Sequence, residues 1–215
     1  GIEGEANTKV GHIRTYMEVD FASTTSSFWR LRHAYAEWNY FKIGHTWSTF
    51  MDNASLPTTV EFEGPNSSLS KRHGLIRYER KYGEQSIVGV SIEAPVSDYF
   101  NPADSLLEGK NKQGNFDIAG RYKHLQKWGH VQLAGIFRRI DYLNDDHIDE
   151  LYGWGILLSS VYKLNEKNTF YTQYSLGESI ANYYVGFSNR QLDAVYDPEA
   201  DNMTRKFIQG GFLTY

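Results

Sequence analysis

The chain has 215 residues and no Cys, so its length fits one or two domains, and a disulfide framework, a zinc finger and a thiol nucleophile are all excluded. Its 22 Lys+Arg and 26 Asp+Glu leave a net charge of -4 with no basic block suited to a phosphate backbone, which argues against nucleic acid. A mean hydropathy of -0.54 and the lack of any apolar run near the ~20 residues of a bilayer-spanning helix exclude a helical membrane protein.

The chain starts at Gly1 with neither Met nor a charged-then-apolar leader, as expected if a signal peptide has been removed or if the sequence is a piece of something longer. From there the dominant signal is period-two alternation, the mark of strands with one apolar and one polar face. Over residues 12–21, Ile13, Thr15, Met17, Val19 and Phe21 oppose Arg14, Tyr16, Glu18 and Asp20. Over 28–38, Trp29, Leu31, His33 and Tyr35 oppose Arg30, Arg32, Ala34 and Ala36, and over 41–50, Phe41, Ile43 and Trp47 oppose Lys42, Gly44, Thr46 and Ser48.

The pattern continues with Ile76 and Tyr78 against Arg77 and Glu79, and with Val88, Val90 and Ile92 against Gly89, Ser91 and Glu93. Phe116, Ile118 and Tyr122 oppose Asp117, Ala119, Arg121 and Lys123, while Val131, Leu133 and Phe137 oppose Gln132, Ala134 and Arg138. Residues 151–163 are strand-like although Ile156-Leu157-Leu158 breaks the alternation; 169–177 and 205–215 complete about ten strands. Many approach the ~9–11 residues with which a tilted strand crosses a bilayer.

Connections alternate between tight and generous. Trp38-Asn39-Tyr40, Tyr82-Gly83-Glu84-Gln85, Lys127-Trp128-Gly129 and Leu164-Asn165-Glu166-Lys167-Asn168 are short, whereas 23–27, 51–73, 94–115, 142–150 and 178–204 are long. In an antiparallel meander alternate connections share one end, so one rim carries tight turns and the other long loops, the asymmetry of outer-membrane barrels. Trp38, Tyr40, Phe41, Tyr82, Trp128, Tyr162 and Phe170 flank the tight turns as one aromatic girdle, with Phe50, Phe100 and Tyr142 expected in the opposite one. All 5 Pro fall in the long connections, which leaves the ladder donors intact. The fold class is therefore all-β, an antiparallel transmembrane β-barrel, closed because lipid offers backbone groups no partner.

Two stretches resemble a known family. Arg30-Leu31-Arg32-His33-Ala34-Tyr35-Ala36-Glu37-Trp38 followed by Gly44-His45-Thr46-Trp47-Ser48-Thr49-Phe50-Met51-Asp52 is similar to the second and third strands of the DcaP-like porins. Thr59-Val60-Glu61-Phe62-Glu63-Gly64-Pro65-Asn66 resembles the loop that follows, and Gly210-Gly211-Phe212-Leu213-Thr214-Tyr215 is a weaker match. The resemblance implies a homotrimer of sixteen-stranded barrels in the outer membrane of a Gram-negative bacterium, passing small, often dicarboxylate-like anions. With strands for only about ten, residues 1–215 are expected to form a single, incomplete barrel domain.

Arg14, Arg30, Arg32, Arg77, Arg121, Lys123 and Arg138, with Lys42 near a turn, share the lumen-facing parity. A cation pointing into lipid near the midplane would cost about 2–4 kcal/mol, so they are expected to face water or acids. Guanidinium groups grip carboxylates through paired hydrogen bonds, and Arg14, Arg30, Arg32 and Arg77 are expected to form an anion-guiding ladder. The alternative is that the arginines only neutralise Glu18, Asp20, Glu79 and Asp117. Residues 94–115 hold the place of the inward-folding third loop of trimeric porins, with Asp98, Asp104 and Glu108 opposite the cations. His33, Glu37, His45 and Arg80 sit on the outward parity of the early strands, where polar groups suggest cover by a neighbouring subunit.

Residues 144–150 are oxygen-rich but lack the spacing of a calcium loop, and neither His45 with Ser48 nor His147 with its carboxylates makes a catalytic constellation. No metal, cofactor or catalytic residue is expected, and the partners expected are small anions, outer-membrane lipid and copies of the same chain. The competing readings are a barrel enzyme, a protease or lipase with its site at the long-loop rim, and a soluble barrel with an apolar interior.

Overall fold

A computed structural model describes residues 1–22, 29–60, 64–95, 99–100, 115–144, 147–188, 190, 192–197, 199 and 202–215. In chain order the strands are β1 (Ile2–Thr8), β2 (Gly11–Asp20), β3 (Arg30–Trp38), β4 (Phe41–Trp47), β5 (Arg72–Tyr82), β6 (Ser86–Glu93), β7 (Tyr99–Phe100), β8 (Asp117–Gln126), β9 (Gly129–Asn144), β10 (His147–Lys163), β11 (Thr169–Glu178), β12 (Ala194–Asp197), β13 (Asn202–Arg205) and β14 (Phe207–Thr214). Eleven of them form one antiparallel sheet in the order β1-β2-β3-β4-β5-β6-β8-β9-β10-β11-β14, and β13-β12-β7 form a small second sheet. Among the described residues the only helical pieces are three short 3-10 turns.

The alternation sorts cleanly into two faces. Following the register across the large sheet, Ile43, Ile76, Ile92, Ile118 and Phe137 stand side by side on one face, and each is about half exposed. The next rows on that face hold Val90, Val88, Tyr122, Leu133, Leu158 and Tyr174. The opposite face carries Arg77, Ser91, Glu93, Asp117, Gln132, Arg138, Ser159 and Gln173, all buried. Apolar side chains outside and polar ones inside invert the pattern of a water-soluble protein, as the lipid-facing wall of a barrel requires.

β1 escapes the alternation test because its only bulky apolar residue is Ile2, yet Ile2↔Met17 through Thr8↔Gly11 pair along all of β2. Lys9 and Val10 then form a turn on the same rim as the other tight connections. At that rim Asn39 and Gly83 take positive φ values of 52° and 62°, a conformation Asn and Gly adopt at low cost. The rings there meet in pairs: Trp38 with Phe41, Phe41 with Tyr78, Trp128 with Tyr162 and Phe170 with Tyr215.

Three expectations are corrected. In β3 the register shifts so that Glu18 pairs with His33 but Val19 pairs with Leu31, leaving Arg32 as an extra residue. One extra residue exchanges the faces of everything beyond it, so His33, Tyr35 and Glu37 lie on the inner face, not the outward one. The long connection expected over 142–150 is mostly ladder, since pairing runs out to His147↔Asn144. Phe50, expected in an aromatic girdle, is fully buried inside the sheet's curvature; Phe21 and Trp29, 6.4 Å apart and exposed, occupy the long-connection rim instead.

What buries the inner polar face is chain from two generous connections. Residues 48–56 and 64–70, between β4 and β5, and residues 179–187, after β11, fold against it and pack Phe50, Met51, Leu69, Ile180, Tyr183 and Tyr184 with Ala134, Ile136 and Leu157. This explains the apolar Leu157 that breaks the alternation of β10. The two segments also bond to each other: Leu69 bridges Tyr184, Ser70 N–H donates to Tyr183 O at 2.8 Å, and Val185 N–H donates to Ser68 O at 3.0 Å. Gly155 and Gly177 form the shelf beneath them, for a Cβ at Gly155 would lie 2.8 Å from Phe50 Cζ. At about 1.5–3 kcal/mol per buried large apolar side chain, this cluster is the main force holding both segments inward.

Candidate functional site

Asp52, at the tip of the first inward segment, anchors it to the wall. Its Oδ1 accepts from Lys123 Nζ of β8 at 2.7 Å, and its Oδ2 lies 2.7 Å from His130 Nε2 and accepts from Ser159 Oγ at 2.8 Å. Burial alone would push this carboxyl up; the hydrogen bond with His130 and the Lys123 charge outweigh it and hold the group below the usual carboxylate range. Gln132 Nε2 donates to Met51 O at 2.9 Å, and Gln173 Nε2 donates to Ser55 Oγ at 2.8 Å. On the other flank Glu93 accepts from Ser48 Oγ at 2.6 Å and from Thr49 N–H at 2.7 Å.

The second segment is fixed by the buried Arg138. Its Nε donates to Asp117 Oδ2 at 3.0 Å and its Nη1 to Asp193 Oδ2 at 3.2 Å, with all three side chains out of solvent. Tyr183 hydroxyl donates to the same Asp117 oxygen at 3.3 Å, and burial raises its pKa well above the ordinary value. Arg138, expected among the lumen-facing pore cations, therefore ties down the inward segment and is buried away from solvent.

The other expected cations divide by partner. Arg14 pairs with Glu3 and, at 2.8 Å, with Glu37, which also holds Lys42 at 2.7 Å. Arg30 and Arg32 share Asp20, and Arg32 reaches Glu18 at 3.1 Å. Arg121 Nε donates to Glu79 at 2.8 Å. Arg77 differs: its Nε donates to Thr49 Oγ1 at 2.7 Å, and no carboxylate lies in salt-bridge range of it among the described residues. The neutralising reading thus describes most of the row, and Arg77 is its uncompensated member.

Two open cavities follow this wall. One, about 410 Å3, is lined by Arg14, Glu37, Lys42, Arg77 and Glu79 together with His12 and the Asn39-Tyr40-Phe41 turn. The other, about 210 Å3, lies between the wall and the first inward segment, lined by Lys42, Arg77, Arg121 and Lys123 together with Met51, Asp52 and Asn53. Lys42 and Arg77 line both. The cations are the expected ones; the segment opposing them among the described residues is 48–56, whose only sequence signal is Asp52 within Phe50-Met51-Asp52-Asn53, while most of the expected loop, 94–115, lies outside the described residues. Asp98, Asp104 and Glu108 lie outside the described residues. Of the four residues expected to touch a neighbouring subunit, His45 and Arg80 keep the outward parity, while His33 and Glu37 do not.

An apolar outer face, a charged inner face buttressed by inward segments, and tight turns collected on one rim define an outer-membrane β-barrel protein. A family profile described as DcaP outer membrane protein matches residues 3–207, and the chain belongs to that family. The solved structure of the outer membrane channel DcaP of Acinetobacter baumannii shares the fold, with a TM-score of 0.70 at 24% identity, covering 80% of this chain and 50% of that one. The chain thus spans about half the length of that channel. A search of curated proteins gives no match.

Proposed function

We propose that the protein is a passive diffusion channel for small hydrophilic anions, dicarboxylates among them, working as a homotrimer. The observation that carries this is Arg77, a buried cation with no carboxylate in salt-bridge range among the described residues, which lines two cavities together with Lys42. Of the four cations lining the smaller cavity, Lys42, Arg121 and Lys123 are paired with Glu37, Glu79 and Asp52, so an entering anion meets the charge of Arg77 as the surplus. In such a low-dielectric constriction the surplus charge lowers the cost of partly dehydrating an anion and raises it for a cation. Because the inward segments fill the β9–β11 side, the route runs off-centre along β2–β8.

The test is the reversal potential across a planar bilayer under a KCl gradient. Lys42→Gln plus Arg77→Gln is expected to shift it toward cation preference, and an unchanged potential would exclude the route. Cysteines at His45 and Arg80 are expected to crosslink between subunits; chains that stay separate would exclude contact at these positions.

A further inference from the structure

The wall splits at its long-connection rim. The β3–β4 ladder stops at Ala34↔His45, whereas the β4–β5 ladder continues to Trp47↔Arg72. Above Ala34 the two sides of the resulting notch are spanned by side chains: His33 Nδ1 lies 2.9 Å from Thr46 Oγ1, and its ring meets Trp47 edge-on at 5.7 Å. The extra residue at Arg32 produces the split, since it bends β3 away from β4 there.

Four charged side chains line the β2–β3 side. Arg30 spans both oxygens of Asp20 at 3.0 and 2.7 Å, and Arg32 takes Asp20 at 2.8 Å and Glu18 at 3.1 Å. Two carboxylates are thereby used by two guanidinium groups, and Arg72 opposite is left with none. Its guanidinium carbon lies 3.5 Å over the Trp47 ring, and its Nε is buried without a hydrogen-bond partner. Arg32 and Arg30 repel it more strongly than Glu18 and Asp20 attract it one by one.

An indole face fixes a guanidinium plane but offers its N–H groups no acceptor, so the donors radiate sideways into the notch. A buried unpaired donor on a cation is costly, and a bound ion is one recognised resolution. We infer that the notch is an oxyanion site, in which Arg72, oriented on Trp47, takes a phosphate or carboxylate group through its free N–H edge with Arg32 beside it. The planar fork of Arg suits two oxygens of one such group. A dissolved anion approaching the mouth and the phosphate of a lipid headgroup at the same rim both supply that chemistry. The inference is independent of the permeation route, because Arg72 lines neither cavity.

The experiment uses the protein in detergent micelles and 31P NMR line-broadening, first with inorganic phosphate and then with lipid A in mixed micelles. Wild type is expected to broaden at least one of the two signals. Arg72→Gln should weaken that binding about tenfold, the worth of a charge-assisted hydrogen bond. Arg72→Lys, which keeps the charge and loses the fork, should fall between them. Broadening of inorganic phosphate identifies a solute site, and broadening of lipid A alone identifies a headgroup site. Heat-modifiability on gels checks that each variant is folded. Equal broadening by wild type and folded Arg72→Gln, or none with either probe, overturns the site; if Arg72→Gln does not fold, Arg72→Lys binding as tightly as wild type does so.

Discussion

Strands β2–β5 and strands β8–β11 turn similar apolar faces outward, but their inner faces differ in who answers their charges. Along the first, Arg14, Glu37, Lys42 and Glu79 stand partly in solvent and pair along the wall itself. Along the second, Gln132, Arg138, Ser159 and Gln173 are buried and answered by segments folded in from the rim. The same alternating pattern thus builds a wet wall in one place and a dry one in another. The deciding factor is whether a connecting segment carries the apolar residues that let it settle there, as Phe50, Met51, Leu69 and Ile180 do.

The comparison breaks most severely at Arg138. Arg138→Met would strand Asp117 and Asp193 in a dry interior and is expected to cost about 3–5 kcal/mol, read from urea unfolding in detergent. Arg121→Met, which removes the partner of Glu79 on the wet wall, should cost no more than about 1 kcal/mol, because Glu79 stays a third exposed. On the shared outer face Val90→Arg, half exposed and midway along β6, should cost about 2–4 kcal/mol in a bilayer.

Asp52→Asn should destabilise the first inward segment by about 1.5–3 kcal/mol and raise single-channel conductance as the segment loosens. The wild-type carboxyl is held below its ordinary value, so its stabilisation is complete above pH ~4 and is lost only as the pH falls below that. Conductance should accordingly rise in acid for wild type and stay flat in the Asn variant. Gly155→Val is expected to cost about 1–3 kcal/mol, because its Cβ would press on the buried Phe50 ring and on Ile180.

Wherever one residue alternates strictly with the next, the sheet was legible in the sequence: β2, β4, β5, β6, β8, β9 and β11 turn the faces their patterns imply. It was illegible where a non-local event intervened. An inserted residue at Arg32 reverses faces without changing the composition of β3, and β1 pairs by backbone alone with little apolar signal. The site was legible as a set of cations but not as an arrangement. Nothing within the chain's local pattern tells Arg138, buried between two aspartates, from Arg77, which pairs with none among the described residues, because the difference lies in groups arriving from 21 to 55 positions away.

The β9–β10 hairpin has strands of 16 and 17 residues, while about 9–11 suffice to cross a bilayer. Its outward-facing charges, Arg139 bonded to Asp141 and Glu150, begin just beyond Phe137, where the oily band stops. On the long-connection rim this ladder therefore outreaches the apolar band. An epitope grafted onto this extension is expected to be bound by antibodies on intact cells.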